Sequence, residues 1–168
     1  MFRKDQIVLV DTNVLIEAHR VSCWNTLSSY FKFSTVETVI EETQTGFQNR
    51  EPGQTIDLSP LRASFHHIEK VTDLARAQFA LDNPEVLLDP GERDLVIYAH
   101  SLDPKSTWFL NSPDMAAIRY GHQSNWLDRL VSLEAMAKHI SAHTTTSFRD
   151  NFTESWLSQK RTKLLLGI

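Results

Sequence analysis

Ile7-Val8-Leu9-Val10-Asp11-Thr12-Asn13-Val14-Leu15-Ile16 is the stretch that decides the fold. Its first four residues form an unbroken, mostly β-branched apolar run. Such a run has no polar face to offer water, so it reads as a strand buried on both sides, the signature of a parallel sheet covered by helices. Asp11 or Thr12 can cap a helix that carries Val14, Leu15 and Ala18 inward. A strand running straight into a capped helix is the opening of an α/β domain.

The rest of the chain repeats that order. A second apolar stretch, Phe31 to Val36, leads into a helical pattern from Glu37 to Gln44. Gly46 to Pro60 is polar and reads as an exposed connection. Leu61, Phe65, Ile68, Val71, Ala75 and Phe79 are spaced for one amphipathic helix over Leu61 to Leu81, with His66-His67 on its surface. Asp89-Pro90-Gly91 reads as a turn before a helix from Glu92 to Leu102. Thr107 to Leu110 reads as a third strand, and Asp114 to Tyr120 as a short helix ended by Gly121. Helical patterns follow around Trp126 to Ile140, with Trp126, Leu130 and Leu133 as core, and over Thr153 to Leu166. The expectation is a three-layer α/β/α fold with a central, mostly parallel sheet. Residues 1–121 form its core, and 122–168 add a helical C-terminal extension of the same domain.

Composition sets the bounds. The chain has 168 residues, enough for one core, and 41% of them are hydrophobic. Its net charge of -4 argues against a basic nucleic-acid coat or a polybasic membrane binder. The single Cys23, expected to be a semi-buried packing residue, leaves no intramolecular disulfide and no Cys-rich zinc site. No apolar run reaches the roughly 18 residues of a membrane span, and the start carries no signal-peptide pattern. A soluble, cytoplasmic protein without a membrane partner is expected.

Open α/β sheets carry their chemistry just past the carboxyl ends of the strands. Those places hold Asp11 and Asp114, while nearby helix starts add Glu41, Glu42 and Glu92. An all-oxygen set suits Mg²⁺ or Mn²⁺ rather than zinc. Periodicity selects among neighbours. Val36, Val39, Ile40 and Thr43 define an inward stripe, and at about 100° per residue Glu42 lies on its margin while Glu41 turns to water. Glu92 heads the stripe of Leu95, Val96, Ala99 and Leu102. Asp94 is rotated about 200° from it and joins the site only if the helix starts later. Each acid also has a purely structural use, as a helix cap or a first-turn residue.

In this order the elements resemble the PIN-domain nucleases, a family that includes VapC-like ribonucleases. The resemblance covers about residues 7–121. It rests on Ile7 to Ile16 with Asp11-Thr12-Asn13, on Val39-Ile40-Glu41-Glu42, on Gly91-Glu92-Arg93-Asp94-Leu95 through Ala99, and on Phe109-Leu110-Asn111-Ser112-Pro113-Asp114. In the last element Ser112 stands where the family pattern has Thr. The resemblance implies a Mg²⁺- or Mn²⁺-dependent endoribonuclease that leaves 5′-phosphate and 3′-hydroxyl ends. Asp11, Glu42, Glu92 and Asp114 would hold metal, with Asn13, Ser112 and Asp94 orienting ligands or water. RNA would be the substrate. A small antitoxin-like protein or a second copy in a homodimer would be the protein partner. Arg119, Lys160, Arg161 and Lys163 are candidate phosphate contacts. The alternative is a PIN-fold module that binds RNA or protein without catalysis. An Asp-nucleophile phosphatase is disfavoured, because no second Asp stands two positions after Asp11.

Overall fold

The computed structural model describes residues 2–45 and 55–168. Four strands, β1 (Ile7–Val10), β2 (Lys32–Val36), β3 (His67–Glu69) and β4 (Trp108–Asn111), form a single sheet in the order β3-β2-β1-β4. Every pairing among them is parallel. Val8, Leu9 and Val10 are completely buried, as expected for a central strand with apolar side chains on both faces. Helices cover both faces of the sheet, giving a three-layer α/β/α fold.

Strand order positions the site. The chain adds β2 and β3 on one side of β1 and returns to place β4 on the other. The connections therefore part above the β1–β4 edge, which opens a crevice at the carboxyl ends of those two strands. Helix α1 (Thr12–Arg20) leaves β1 with Asp11 as its N-cap, followed by α2 (Trp24–Tyr30) and, directly after β2, α3 (Glu37–Thr45).

The single helix expected over Leu61 to Leu81 is instead three elements: α4 (Leu58–Ala63), β3, and α5 (Asp73–Asp82). The edge of β2 decides this. The His66 N–H donates to Phe33 O at 2.8 Å, and Ser34 and Thr35 pair with His67 and Ile68. A second start signal was also present: the Thr72 hydroxyl accepts from Ala75 N and caps α5. His67 thus belongs to an edge strand, with Nε2 2.8 Å from Glu69 Oε2. The connection read over 46–60 lies mainly outside the described residues, and its last three residues already belong to α4.

Helix α6 (Pro90–Ser101) begins two residues before the expected Glu92, and α7 (Met115–Gln123) runs through Gly121 to a cap at Ser124. Gly121 lies within the helix rather than ending it, and packs beside the Leu130 side chain, where a Cβ would meet ordinary contact at 3.4 Å. The stretch around Trp126 is not one helix. After a tight 3₁₀ turn over Leu127–Arg129, Leu130 bridges Leu110 in parallel, and Ser132 caps α8 (Leu133–His139). Asn125, in the left-handed region at φ 58°, starts this break.

The last helix, α9 (Glu154–Leu166), begins at the expected Thr153 cap. Leu130, Leu133, Met136, Phe152 and Leu157 share one apolar cluster with Val8, Leu9 and Val10. Glu17, fully buried in α1, ties residues 145–150 to this core. Its carboxylate accepts from Arg20 and from the Arg149 N–H at 2.9 Å, while Arg20 also reaches Ser147 O. Cys23 is completely buried rather than half-buried, and burial pushes its thiol up to about 12.

Candidate functional site

Asp11, Glu42, Glu92 and Asp114 line one cleft of about 260 Å³ at the carboxyl edge of the sheet, together with Thr12, Asn13 and a fifth acid, Asp89. These residues come from four separated parts of the chain: the β1–α1 junction, α3, the start of α6 and the β4–α7 junction. Among the described residues, no Lys, Arg or His side chain lines the cleft.

Three helix N-termini point at it, and each holds one carboxylate. Asp11, the N-cap of α1, accepts from Val14 N at 2.9 Å, and its other oxygen accepts from the Ser112 hydroxyl at 2.7 Å. Asp114, the N-cap of α7, accepts from Ala116 N at 2.6 Å. Glu42 accepts from Gly91 N, in the first turn of α6, at 2.9 Å and also from the Thr12 hydroxyl. Backbone donors left over at helix starts, with the positive end of the dipole, are what allows so many carboxylates to gather. Among the described residues Glu92 is the least compensated, with only a long contact from Asp89 N at 3.4 Å.

The electrostatics follow. Burial, followed by the charges of Asp114 and Asp11, pushes the Glu92 carboxyl up to about 8. Burial also raises Asp11 to about 6, against the pull of its Ser112 and Val14 hydrogen bonds and with help from Asp114 and Glu42. Protons are therefore held in the cleft where ordinary carboxylates would have lost them.

A hard divalent cation fits this donor set chemically, being the counter-charge that the lining lacks. Among the described residues, though, no three His, Cys, Asp or Glu side chains are grouped to hold one ion as they stand. Binding would require rotamer shifts that bring further carboxylates within reach of one ion.

The other expected participants divide. Ser112 is buried and holds Asp11 from behind, and exposed Asn13 lies in the cleft lining. Asp94 does not reach the cleft. It is fully buried on another side of α6, where it accepts from Thr38 at 2.5 Å, Arg76 at 2.6 Å and Arg93 at 3.1 Å. Its angle from the apolar stripe was read correctly, but α3 and α5 supply polar partners on that side and bury it.

Arg161 is likewise used by the fold. Its guanidinium donates to Leu130 O and lies 3.8 Å from Glu154, with only a quarter of the side chain exposed. Lys160 lies over the Trp156 ring at 5.4 Å, Lys163 is exposed in the last turn of α9, and Arg119 is exposed on α7 beside a shallow depression with Gln123. Sequence reasoning missed Asp89, Thr12 and Gly91. Asp89 was legible as a cap, standing three residues before Glu92 in the Asp-x-x-Glu spacing of a capping box. No protein-family model matches the chain, and a comparison with curated proteins finds no match.

Proposed function

We propose that this chain is a divalent-metal-dependent endoribonuclease of the PIN-domain type. The observation that carries the reading is the meeting of Asp11, Glu42, Glu92 and Asp114 in one cleft at the sheet's switch point. Acids from four elements, two of them with pKa values raised by burial and then by their acidic neighbours, make an arrangement that costs stability without a ligand. That cost is understandable if the cleft exists to hold a cation.

Asp11, Glu42, Glu92 and Asp114 would hold Mg²⁺ or Mn²⁺, and the bound ion supplies a water of lowered pKa together with Lewis acidity toward the phosphate. The chain's own residues do the positioning. Ser112 and Val14 N fix both oxygens of Asp11, and Asn13 on the rim can orient a water or a ligand. Asp89 adds negative charge beside Glu92, so the metal-free cleft repels RNA and the loaded one accepts a phosphate. Arg119, exposed on α7, is one cation that can contact the RNA backbone.

Among the described residues, no helix is long and apolar enough to cross a membrane. We place the protein in the cytoplasm, as a free-standing nuclease or as a toxin restrained by a small protein partner. That no three ligands stand ready-grouped among the described residues favours one second reading, a binding module of the same fold without catalysis.

Calorimetry with Mn²⁺, paired with incubation of a mixed RNA pool with and without chelator, separates these readings. The nuclease binds Mn²⁺ and yields fragments with 5′-phosphate ends only when the metal is present. Binding without cleavage selects the module. Cleavage that continues in chelator overturns the metal mechanism.

A further inference from the structure

The first turn of α6 contains a donor that the helix cannot use. Pro90 has no N–H, and the Gly91 N–H, at the helix start, has no carbonyl one turn back to receive it. Glu42 Oε1 accepts it from α3 at 2.9 Å, while Glu42 Oε2 accepts from the Thr12 hydroxyl at the start of α1. One carboxylate thus joins the starts of two helices to the body of a third. Both Thr12 and Gly91 are buried.

The presence of glycine at 91 needs a reason. Its φ is not in the left-handed region, where among the described residues only Gly167 is a glycine, and glycine inside a helix costs about 0.5–1 kcal/mol relative to alanine. The reason is approach. A Cβ at position 91 would lie 2.5 and 2.8 Å from the two oxygens of Glu42 and 2.9 Å from its Cδ. Any side chain there would displace the carboxyl group that the backbone N–H holds.

We propose that Thr12 and Gly91 are positioning residues for Glu42: together they aim its carboxylate at the cation position, and Gly91 does so by carrying no side chain. The inference rests on the metal-dependent reading above. Removing groups that orient a metal ligand costs roughly 10–100-fold in metal affinity, which is the scale expected here.

The test compares Mn²⁺ affinity by calorimetry in the wild type, Gly91→Ala, Glu42→Ala and the double variant, with melting temperatures recorded alongside. Gly91→Ala is expected to weaken Mn²⁺ binding at least about 10-fold. In the Glu42→Ala background the same change is expected to add less than about twofold, because no carboxylate remains to displace. Thr12→Val should weaken binding by about 10-fold, and Thr12→Ser, which keeps the hydroxyl, should restore it to within about twofold. A role confined to folding would not produce that rescue or that background dependence. Wild-type binding by Gly91→Ala, or an equal loss in both backgrounds, overturns the proposal.

Amide exchange separates this failure from failure of the metal reading. With Glu42 held as described, the Gly91 amide is protected in the metal-free wild type and loses protection in Glu42→Ala, relative to Tyr98 in the middle of α6. An unprotected Gly91 amide in the wild type refutes the positioning contact itself. A protected amide in a protein that binds no Mn²⁺ refutes the metal reading and, with it, the role assigned to the contact.

Discussion

Replacing Glu92 by Gln removes the carboxyl group that the cleft tolerates least. Burial and the neighbouring charges of Asp114 and Asp11 raise it to about 8, and among the described residues its one hydrogen bond is the 3.4 Å contact from Asp89 N. In the unfolded chain the same group titrates near its model value of 4.5. Between these two values the folded protein holds a proton that the unfolded chain has released. Stability therefore falls as pH rises: the Glu92 contribution is fully present below about 4.5 and gone above about 8. At about 1.4 kcal/mol per pH unit the whole window amounts to several kcal/mol, and solvent at the cleft mouth reduces this to roughly 2–3 kcal/mol. For a chain of this size that corresponds to about 5–10 °C in melting temperature.

Thermal denaturation in chelator should therefore show Glu92→Gln melting about 5–10 °C above the wild type at pH 8.5, with the two converging near pH 4.5. Millimolar Mn²⁺ should close that gap at pH 8.5, bringing the two melting temperatures together. A ligand at 100 times its Kd adds about 2.7 kcal/mol to the wild type, and the variant has lost a ligand. A Glu92→Gln protein that melts below the wild type at pH 8.5 in chelator would refute this account of the cleft's electrostatics.

Other residues yield predictions of a different kind. Glu17→Ala should cost about 2–3 kcal/mol in denaturant unfolding, because it removes the buried carboxylate that the half-buried Arg20 guanidinium and the Arg149 N–H share, and limited proteolysis should begin within 145–150. Asp94 is held below the usual carboxylate range, since hydrogen bonds from Arg76, Thr38 and Arg93 outweigh its burial. Its contribution is present above the unfolded value of 3.8 and is lost as pH falls through the lower folded value. Asp94→Asn should accordingly destabilise the protein at pH 7 and blunt its acid unfolding. Arg161→Ala should lower stability and leave RNA affinity unchanged, whereas Arg119→Glu should weaken RNA binding and reduce its salt slope by about one.

The legible parts of this molecule are those in which one residue's surroundings are local. Ile7 to Val10 reads as a central strand because four consecutive apolar residues leave no face for water, and Asp11 reads as its functional terminus because a helix cap follows at once. The choice of Glu42 over Glu41 follows from one turn of helix geometry, and the cleft contains Glu42 while Glu41 faces solvent. Where a partner element decides, the local pattern is insufficient. Phe65, Ile68 and Val71 satisfy a helical period, yet the open edge of β2 claims 67–69 as a strand. Asp94 lies off the apolar stripe as expected, but Arg76 from α5 turns that position into a buried ion pair. Gly91 looks like a turn residue until Glu42 arrives from 49 positions away and leaves no space for a Cβ.

The most direct test is RNA cleavage by Asp11→Asn, rigorously purified and assayed with Mn²⁺ beside the wild type. Asparagine is as good an N-cap as aspartate, so the amide oxygen can still accept from Val14 N and the fold should survive, as circular dichroism and melting temperature would show. The expected result is a folded protein without Mn²⁺-dependent cleavage. Undiminished cleavage by that variant would contradict it.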